Sequence, residues 1–316
     1  MKKYLNRLRY NHYFSLLARV LVFPVERICA WSTRQLRMKV WVNGGKVNYD
    51  GIALSFPRNV GVHYSSGIFW QGVDGFEPLT WCVIKHYLGT AGVFVDVGAN
   101  IGMYSVLARK LRPDIRILSF EPVPSIHAKC LAFHKINNCS VEEIFNAAIG
   151  DKQGRARMLL PVEAGATEEE TTATLRQDSW QNRSSSMEFE VEVTTLDLVF
   201  RNFRAGTRVL VKVDVEDFEE SVFAGAEAAV AALRPVFVCE ILPRPHGNQN
   251  TWLMLEKFGY VPFGITKDGL VRFNKQDFFQ KRSFTDFLLI HASAVHNCNY
   301  VPLGALDQLA VMPPQS

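Results

Sequence analysis

Residues 93–105, VFVDVGANIGMYS, decide the fold. The first five are apolar except for Asp96, and such a run is typical of a strand buried on both faces of a parallel sheet. Gly98 and Gly102 follow, and they let the backbone turn tightly and approach a ligand closely. A helix is predicted to begin near Met103. This order of strand, glycine-bearing turn and helix predicts a nucleotide-like ligand at the carboxyl edge of the sheet.

Similar apolar runs recur along the chain, with stretches between them that favour helices. They are residues 115–120, 141–149, 209–215 and 235–241. This alternation predicts an α/β fold in which a mostly parallel sheet lies between two helical layers. A final hairpin is expected from Phe284–His291 and the segment around Val271–Phe273.

The N-terminal part is predicted to be a separate region, residues 1–75, made of a basic helix and a small β-subdomain. Residues 38–57 largely alternate, with Asn43-Gly44 as the expected hairpin turn. The main domain, residues 76–316, is predicted to begin with a helix from Pro78, since proline suits a first helical turn. A polar stretch inside it, residues 161–187, predicts a mobile loop.

Composition excludes several classes of protein. Of the 316 residues, 48% are apolar and 21% are charged, which is ordinary for a globular chain. The net charge of +4 is too small to indicate nucleic acid as a partner. The six cysteines form no CxxC pair and no metal-like spacing, so no metal site is expected and a reducing cytoplasm is indicated.

Charge is concentrated at the N-terminus. Residues 1–40 hold nine Lys or Arg and one acid, Glu26, so they carry +8 and the rest carries −4. One interpretation is a solvated basic helix packed on the body. The other is peripheral contact with an anionic membrane surface on the cytoplasmic face, or with an acidic glycan. The apolar run at 13–25 is too short to span a bilayer.

The second strand of the predicted sheet ends in Phe120-Glu121-Pro122. Glu121 lies 23 residues after Gly98, about where an acid binds the two hydroxyls of a ribose. A dinucleotide site needs G-x-G-x-x-G, but Asn100 and Met103 stand where its second and third glycines belong. A dehydrogenase is therefore disfavoured. An acid two residues before the first glycine instead favours a ligand with an ammonium group and no pyrophosphate, as in S-adenosylmethionine.

Six segments carry a family resemblance across residues 76–292. They are DVGANIG, FEP, AAIGD, VTTLD, KVDVEDFEESVFAGA and RPVFVCEI, in that order. The chain resembles the FkbM-type family of class I S-adenosylmethionine-dependent methyltransferases. The resemblance implies a Rossmann-like, seven-stranded, mostly parallel sheet with helices on both faces and its last strand antiparallel. It also implies methyl transfer, usually to a hydroxyl of a sugar, polyketide or similar natural product.

The resemblance further implies a set of cofactor-binding residues. Glu121 would hold the ribose, and Glu77 matches an acid that the family often shows, although a helix cap explains Glu77 equally well. The methionine end and the adenine would lie against the remaining members, which are Asp96, Gly98, Ala99, Asn100, Gly102, Pro122 and Ala148.

A hydroxyl acceptor needs a general base within hydrogen-bond reach. Asp214 and Glu216 follow the fourth strand and share one face by alternation. Asp214 is the first candidate for the base or for a group that orients the acceptor, Glu216 is the second, and His246 is a weaker one. Alternatively, the two acids cap the next helix or pair with Lys212 or Arg234.

One departure from the family keeps a second function open. Asp217 stands where the family usually has glycine, in D-V-E-G. The favoured function is O-methylation of a saccharide-like, lipid-linked or natural-product acceptor, so the expected partner is a small molecule or glycan. The rival is a catalytically silent S-adenosylmethionine-binding scaffold or partner protein.

Overall fold

The computed structural model describes residue 17 and residues 41–161, 186–215, 218–242, 249–278, 284–295 and 299–309. The strands are β1 Gly45–Tyr49, β2 Ile52–Phe56, β3 Val93–Val97, β4 Arg116–Phe120, β5 Ile144–Phe145, β6 Ala147–Ile149, β7 Gly154–Pro161, β8 Ser186–Thr194, β9 Val209–Val213, β10 Val236–Glu240, β11 Tyr260–Thr266, β12 Gly269–Arg272, β13 Asp286–His291 and β14 Tyr300–Val301. The α-helices are α1 Val62–Gln71, α2 Pro78–Leu88, α3 Met103–Leu111, α4 Pro124–Ile136, α5 Leu196–Phe200, α6 Glu219–Ala224, α7 Glu227–Leu233, α8 Gln249–Phe258 and α9 Lys275–Phe278.

The main sheet has nine strands in the order β14-β12-β11-β13-β10-β9-β3-β4-β5. From β5 to β10 every neighbouring pair is parallel, whereas β13 runs antiparallel to both β10 and β11. The predicted fold class is therefore confirmed: an α/β fold with a large, mostly parallel sheet whose last family strand, β13, is antiparallel. Two short strands, β12 and β14, extend the expected seven strands at one edge.

Strand alternation divides the core into two layers. On β3, Phe94 packs with α2 and α3, while Val93, Val95 and Val97 pack with α5 to α8 on the opposite face. Both sets of side chains are almost fully buried. Each such side chain contributes roughly 1.5–3 kcal/mol to stability. Helices packed on both faces hold the sheet in place, and the candidate site lies at the carboxyl ends of its strands.

The N-terminal hairpin exists, but its turn differs from the prediction. β1 and β2 pair through Asp50-Gly51, where both φ angles are positive, at 50° and 81°. Such angles suit the tight turn of a two-residue hairpin. The predicted turn at Asn43-Gly44 is therefore wrong. Asn43 instead donates a side-chain hydrogen bond to Asn59. Tyr49 of this hairpin shares one hydrophobic cluster with α2 and α3.

The C-terminal hairpin prediction is also wrong. β11 lies between the two expected partners and pairs with both β12 and β13. The apolar run at 141–149 splits into β5 in the main sheet and β6 in a small sheet of order β6-β8-β7. The predicted helix from Pro78 is confirmed as α2.

Three further predictions concern regions at the limits of the structure. The basic segment 1–40, apart from Leu17, lies outside the described residues, as do residues 162–185 of the polar stretch. The division into residues 1–75 and 76–316 stays a prediction. Within the described ranges, no helix is long and apolar enough to cross a membrane.

Candidate functional site

The carboxyl ends of β3, β4 and β9 border an open cleft with a volume of about 1200 Å³ including its mouth. Its walls come from the loops after these strands, from β6 and from the segment before α2. Residues that line the cleft include Glu77, Gly98, Ala99, Asn100, Tyr104, Glu121, Pro122, Ile126, Ala148, Met158, Lys212, Asp214 and Glu240.

The loop after β3 is held in one conformation by close backbone packing. Gly98 has a φ of +76°, and a Cβ there would lie 1.8 Å from the carbonyl oxygen of Asp214. Only glycine fits such an approach. The N–H groups of Gly98 and Ala99 both donate to the carbonyl of Phe120, at 3.0 and 2.9 Å. Gly102 ends the loop and packs against His134 on α4. The loop is therefore a fixed floor of the cleft.

Glu121 is the carboxylate most firmly fixed in the cleft. Its Oε2 accepts the backbone N–H of Asn100 and its Oε1 accepts that of Val123, both at 2.9 Å. Burial raises the pKa of Glu121 to about 7, although the two N–H bonds favour the charged form. Each carboxylate oxygen still has a lone-pair site to offer a ligand. The group is thus preorganised to accept two neighbouring hydroxyls.

An apolar slot lies beside Glu121. Val123, Ile126, Ala148 and Met158 form one small cluster in which each is almost fully buried. All four also line the cleft. A flat heteroaromatic ring attached to the ribose would fit such a surface. Ala148, which the resemblance implied to lie near the adenine, is part of this slot.

Asp96 lies apart from the residues that line the cleft. Its side chain is fully buried on the α3 side of β3, and its Oδ2 accepts a hydrogen bond from Ser105 at 2.6 Å. Its Oδ1 has no partner within the described ranges. Burial raises the pKa of Asp96, while Lys212 opposes the shift. The bond from Ser105 holds the carboxyl beside α3, and the expected contact of Asp96 with the methionine end of the cofactor stays a prediction.

Lys212 is the buried cation that neutralises this part of the site. Alternation on β9 turns it towards α2 and α3, and its strand neighbour in register on β3 is Asp96. Its Nζ donates to Asp214 Oδ2 at 2.9 Å and lies 4.9 Å from the ring centroid of Tyr104. Burial alone would lower the pKa of Lys212, but Asp214, Asp96 and Glu77 together raise it. Lys212 therefore stays charged.

A polar side chamber of about 470 Å³ opens behind Lys212. Glu77, Lys212, Asp214 and Glu240 line both the chamber and the cleft. Its far wall adds Asp286, which accepts a hydrogen bond from Thr80 at 2.7 Å. Of these residues, Glu240 and Asp286 were not expected from the sequence. The signal in the sequence was one charged residue in each of three otherwise largely apolar strands: Lys212 in β9, Glu240 in β10 and Asp286 in β13.

Asp214 lines the cleft, as expected for a residue after the fourth strand. Its ion pair with Lys212 agrees with one of the alternatives drawn from the sequence. Burial tends to raise the pKa of Asp214, but Lys212 outweighs this effect and lowers it. A carboxylate with a lowered pKa is a weak proton acceptor. Of the two roles expected for Asp214, orienting the acceptor therefore fits the geometry better.

Glu77 precedes α2, yet its side chain does not cap that helix. Its Oε2 accepts a hydrogen bond from the hydroxyl of Tyr104 at 2.5 Å. Glu216, Asp217 and His246 lie outside the described residues. No group of three or more His, Cys, Asp or Glu suited to a metal is found in the part of the chain that the structure describes.

A family profile and a curated relative indicate the same family. The profile of a family described as "Methyltransferase FkbM domain" matches residues 96–262, more than half of the chain. A curated relative, the 31-O-demethyl-FK506 methyltransferase FkbM of Streptomyces tacrolimicus, is 28% identical over 170 residues. The match covers 47% of this chain and 65% of that protein, slightly less than two thirds of its length.

Two solved structures are similar at low identity. Methyltransferase FkbM from Methylobacillus flagellatus shares 14% identity, covering 64% of this chain and 44% of that one, with a TM-score of 0.38. An S-adenosylmethionine-dependent methyltransferase from Agrobacterium tumefaciens shares 7% identity, covering 78% and 69%, with a TM-score of 0.39. At these scores the strand order described above, rather than the superposition, identifies the architecture.

Proposed function

The chain belongs to the FkbM methyltransferase family, and on that premise we propose that it transfers a methyl group from S-adenosylmethionine to a hydroxyl of its acceptor. The observation that carries the proposal is the fixed carboxylate of Glu121 beside an apolar slot. Its two backbone N–H bonds aim it into the cleft before any ligand arrives. Such preorganisation suits the diol of a ribose and the ring joined to it.

The other end of the cleft suits the charged end of the same cofactor. Glu77, Asp214 and Glu240 supply carboxylates there, with Lys212 as their cation in the described part of the wall. S-adenosylmethionine supplies an activated methyl group on a sulfonium, next to an ammonium group. Both charges are positive, so an acidic wall attracts them. A pyrophosphate would be repelled, which agrees with the missing dinucleotide glycines.

One of these carboxylates, Asp214, is also proposed to contact the acceptor. Asp214 lines the cleft and is proposed to orient an acceptor hydroxyl there, while Lys212 holds its Oδ2 in place. Alignment of this kind is the main contribution a protein makes to a displacement reaction. An anionic acceptor would be disfavoured here. We therefore favour a saccharide-like, lipid-linked or other hydroxyl-rich natural product.

The curated relative supports oxygen as the atom that is methylated. Its name gives it an O-methyl transfer to FK506 lacking that methyl group. The identity of 28% does not carry that substrate to this chain. Only the kind of bond formed, carbon to oxygen, is taken from the comparison.

The proposal is tested by labelling. Purified protein, S-adenosylmethionine carrying an isotopic methyl group, and polar and lipid extracts of the source cells are incubated together and analysed by mass spectrometry. We expect labelled, hydroxyl-bearing products, in strongly reduced amounts with Glu121→Ala when S-adenosylmethionine is limiting. Cofactor binding without any labelled product would instead support the silent scaffold.

We also propose that the basic segment 1–40 brings the protein to anionic surfaces on the cytoplasmic side. Its formal charge of +8 against −4 for the rest of the chain supports this. Each basic residue near an anionic membrane contributes about 1 kcal/mol to binding. The location and the partner surface stand on this charge pattern alone.

A further inference from the structure

Glu77 lies where the cleft and the side chamber meet, and it lines both. Within the described ranges its carboxylate receives one hydrogen bond, from the hydroxyl of Tyr104 to Oε2. The residue as a whole is exposed, although protein atoms surround much of its carboxyl group. Oε1 is therefore open to a ligand in the cleft.

The backbone holds Glu77 in an unusual conformation. Its φ of 32° and ψ of 57° lie in the left-handed region, which glutamate rarely adopts. The carbonyl of Glu77 accepts the N–H of Trp81 at 2.9 Å, so the first turn of α2 keeps the residue there. Strain of this kind clusters at functional sites. It turns the carboxylate of Glu77 towards the cleft instead of towards the helix end.

The neighbouring carboxylates have stronger partners. Asp214 is paired with Lys212, Asp286 accepts from Thr80, and Glu240 accepts from Thr285. Glu121 is held by two backbone N–H groups. Among the described acids of the cleft, Glu77 therefore differs in two ways: its Oε1 is open to a ligand, and its carboxylate forms no direct ion pair.

The charges around Glu77 favour proton uptake near neutral pH. Protein atoms around the carboxyl desolvate it and raise its pKa to about 7. On β9, Lys212 opposes this shift. From α3, the hydroxyl of Tyr104 also opposes it, by donating its hydrogen bond to the charged form.

Other groups face Glu77 from the remaining elements. Asp214 after β9 and Asp286 on β13 both reinforce the rise in its pKa. Tyr49 on β1 also interacts with the charge of Glu77, and burial, Asp50 and Glu77 together raise the pKa of that phenol. The environment therefore favours a carboxylate that accepts a proton more readily than Asp214 does.

We infer that Glu77 is the catalytic residue that takes the proton from the acceptor hydroxyl, an inference that rests on the proposed methyl transfer. The acceptor O–H bond breaks and its proton moves to Oε1 of Glu77. The oxygen's electron pair forms the new bond to the methyl carbon. The pair of the broken carbon–sulfur bond remains on sulfur, which leaves as a neutral thioether. Tyr104 holds Glu77 in place through its hydrogen bond, and Lys212 favours the charged form of Glu77 before the proton is transferred.

The first test measures whether Glu77 lies beside the reacting sulfonium. Protein labelled with ¹³C at glutamate carboxyls is titrated by NMR, and the Glu77 signal is assigned by its loss in Glu77→Gln. A positive charge beside a carboxylate favours its ionised form and therefore lowers its pKa. We expect the pKa of Glu77 to be at least about one unit lower with S-adenosylmethionine than with uncharged S-adenosylhomocysteine. Equal values in the two complexes would overturn the inference.

The second test measures proton transfer, with the labelled extract as the source of acceptor. Glu77→Gln should reduce label incorporation by roughly 10²–10⁴-fold and remove the fall in rate that the wild type shows as Glu77 is protonated at acidic pH. The matched control is Glu142→Gln, an exposed glutamate, which should keep the wild-type rate and pH profile. A Glu77→Gln variant that retains the wild-type rate overturns the inference. Failure of wild-type protein to bind S-adenosylmethionine in calorimetry would instead refute the proposed function.

Discussion

Removing the charge of Lys212 should destabilise the protein far more than removing an exposed lysine. The side chain of Lys212 is 7% exposed, and its Nζ is 2.9 Å from Asp214 Oδ2. Lys212→Met keeps the apolar stem and leaves Asp96, Asp214 and Glu77 without their common cation. Breaking a buried pair by removing one partner costs about 3–5 kcal/mol. Since the side chain of Asp214 is 30% exposed in the cleft, we expect the lower end, about 3 kcal/mol.

A matched control has the same contact distance at the surface. Lys257 Nζ also lies 2.9 Å from a carboxylate, Glu227, but the two side chains are 53% and 64% exposed. Exposed pairs contribute about 0–1 kcal/mol, so Lys257→Met should cost no more than that. Urea denaturation at pH 7.5, followed by circular dichroism, measures both variants. Equal losses of unfolding free energy in the two variants would refute the account of Lys212.

The pH dependence of the loss provides a second check. Without Lys212, burial raises the pKa values of Asp96 and Asp214 above their unfolded values. The folded variant then binds more protons than the unfolded chain in the window between the unfolded and folded pKa values, so its stability increases as the pH falls through it. The difference between wild type and Lys212→Met should shrink from pH 7.5 to pH 5. A difference in unfolding free energy that does not change with pH would contradict the proposal that Asp96 and Asp214 are left as unpaired buried charges.

Two further predictions concern the loop and the basic segment. Gly98→Ala should lower the free energy of unfolding by at least about 2 kcal/mol more than Gly206→Ala. Both glycines have a positive φ, but only at Gly98 would a Cβ lie 1.8 Å from a backbone oxygen. Similar unfolding free energies for the two variants would refute the packing argument. Deleting residues 1–40 should abolish sedimentation with acidic liposomes while S-adenosylmethionine affinity is unchanged, and a deletion that prevents folding would favour the packed-helix interpretation instead.

The sequence predicts the central strands well because their apolar runs are long and their ends carry turn residues. The run VFVDV coincides with β3, and Glu121 follows β4 directly, as its spacing from Gly98 indicated. β11 is missed because Pro262 and Gly264 interrupt the pattern expected for a strand. The N-terminal turn is misplaced because Asn43-Gly44 and Asp50-Gly51 are equally good turn dipeptides. Burial of Tyr49 next to the second dipeptide decides between them.

The acidic group around Lys212 could not be read from one sequence. Lys212, Glu240 and Asp286 come from different strands, and their proximity depends on strand register. Register is set by side-chain packing between strands, which spacing along the chain does not reveal. Glu77 was expected near the cofactor or as a cap. Its left-handed backbone and its bond from Tyr104 emerge only once α2 and α3 pack together.

The central claim is that the cleft binds S-adenosylmethionine through Glu121, and calorimetric titration tests it most directly. Wild-type protein should bind S-adenosylmethionine and not NAD. Losing a hydrogen bond to a charged group costs about 1.5–3 kcal/mol, so Glu121→Ala should bind roughly 10- to 150-fold more weakly while remaining folded. Unchanged affinity in a folded Glu121→Ala variant, or binding of NAD in preference to S-adenosylmethionine, would contradict the claim.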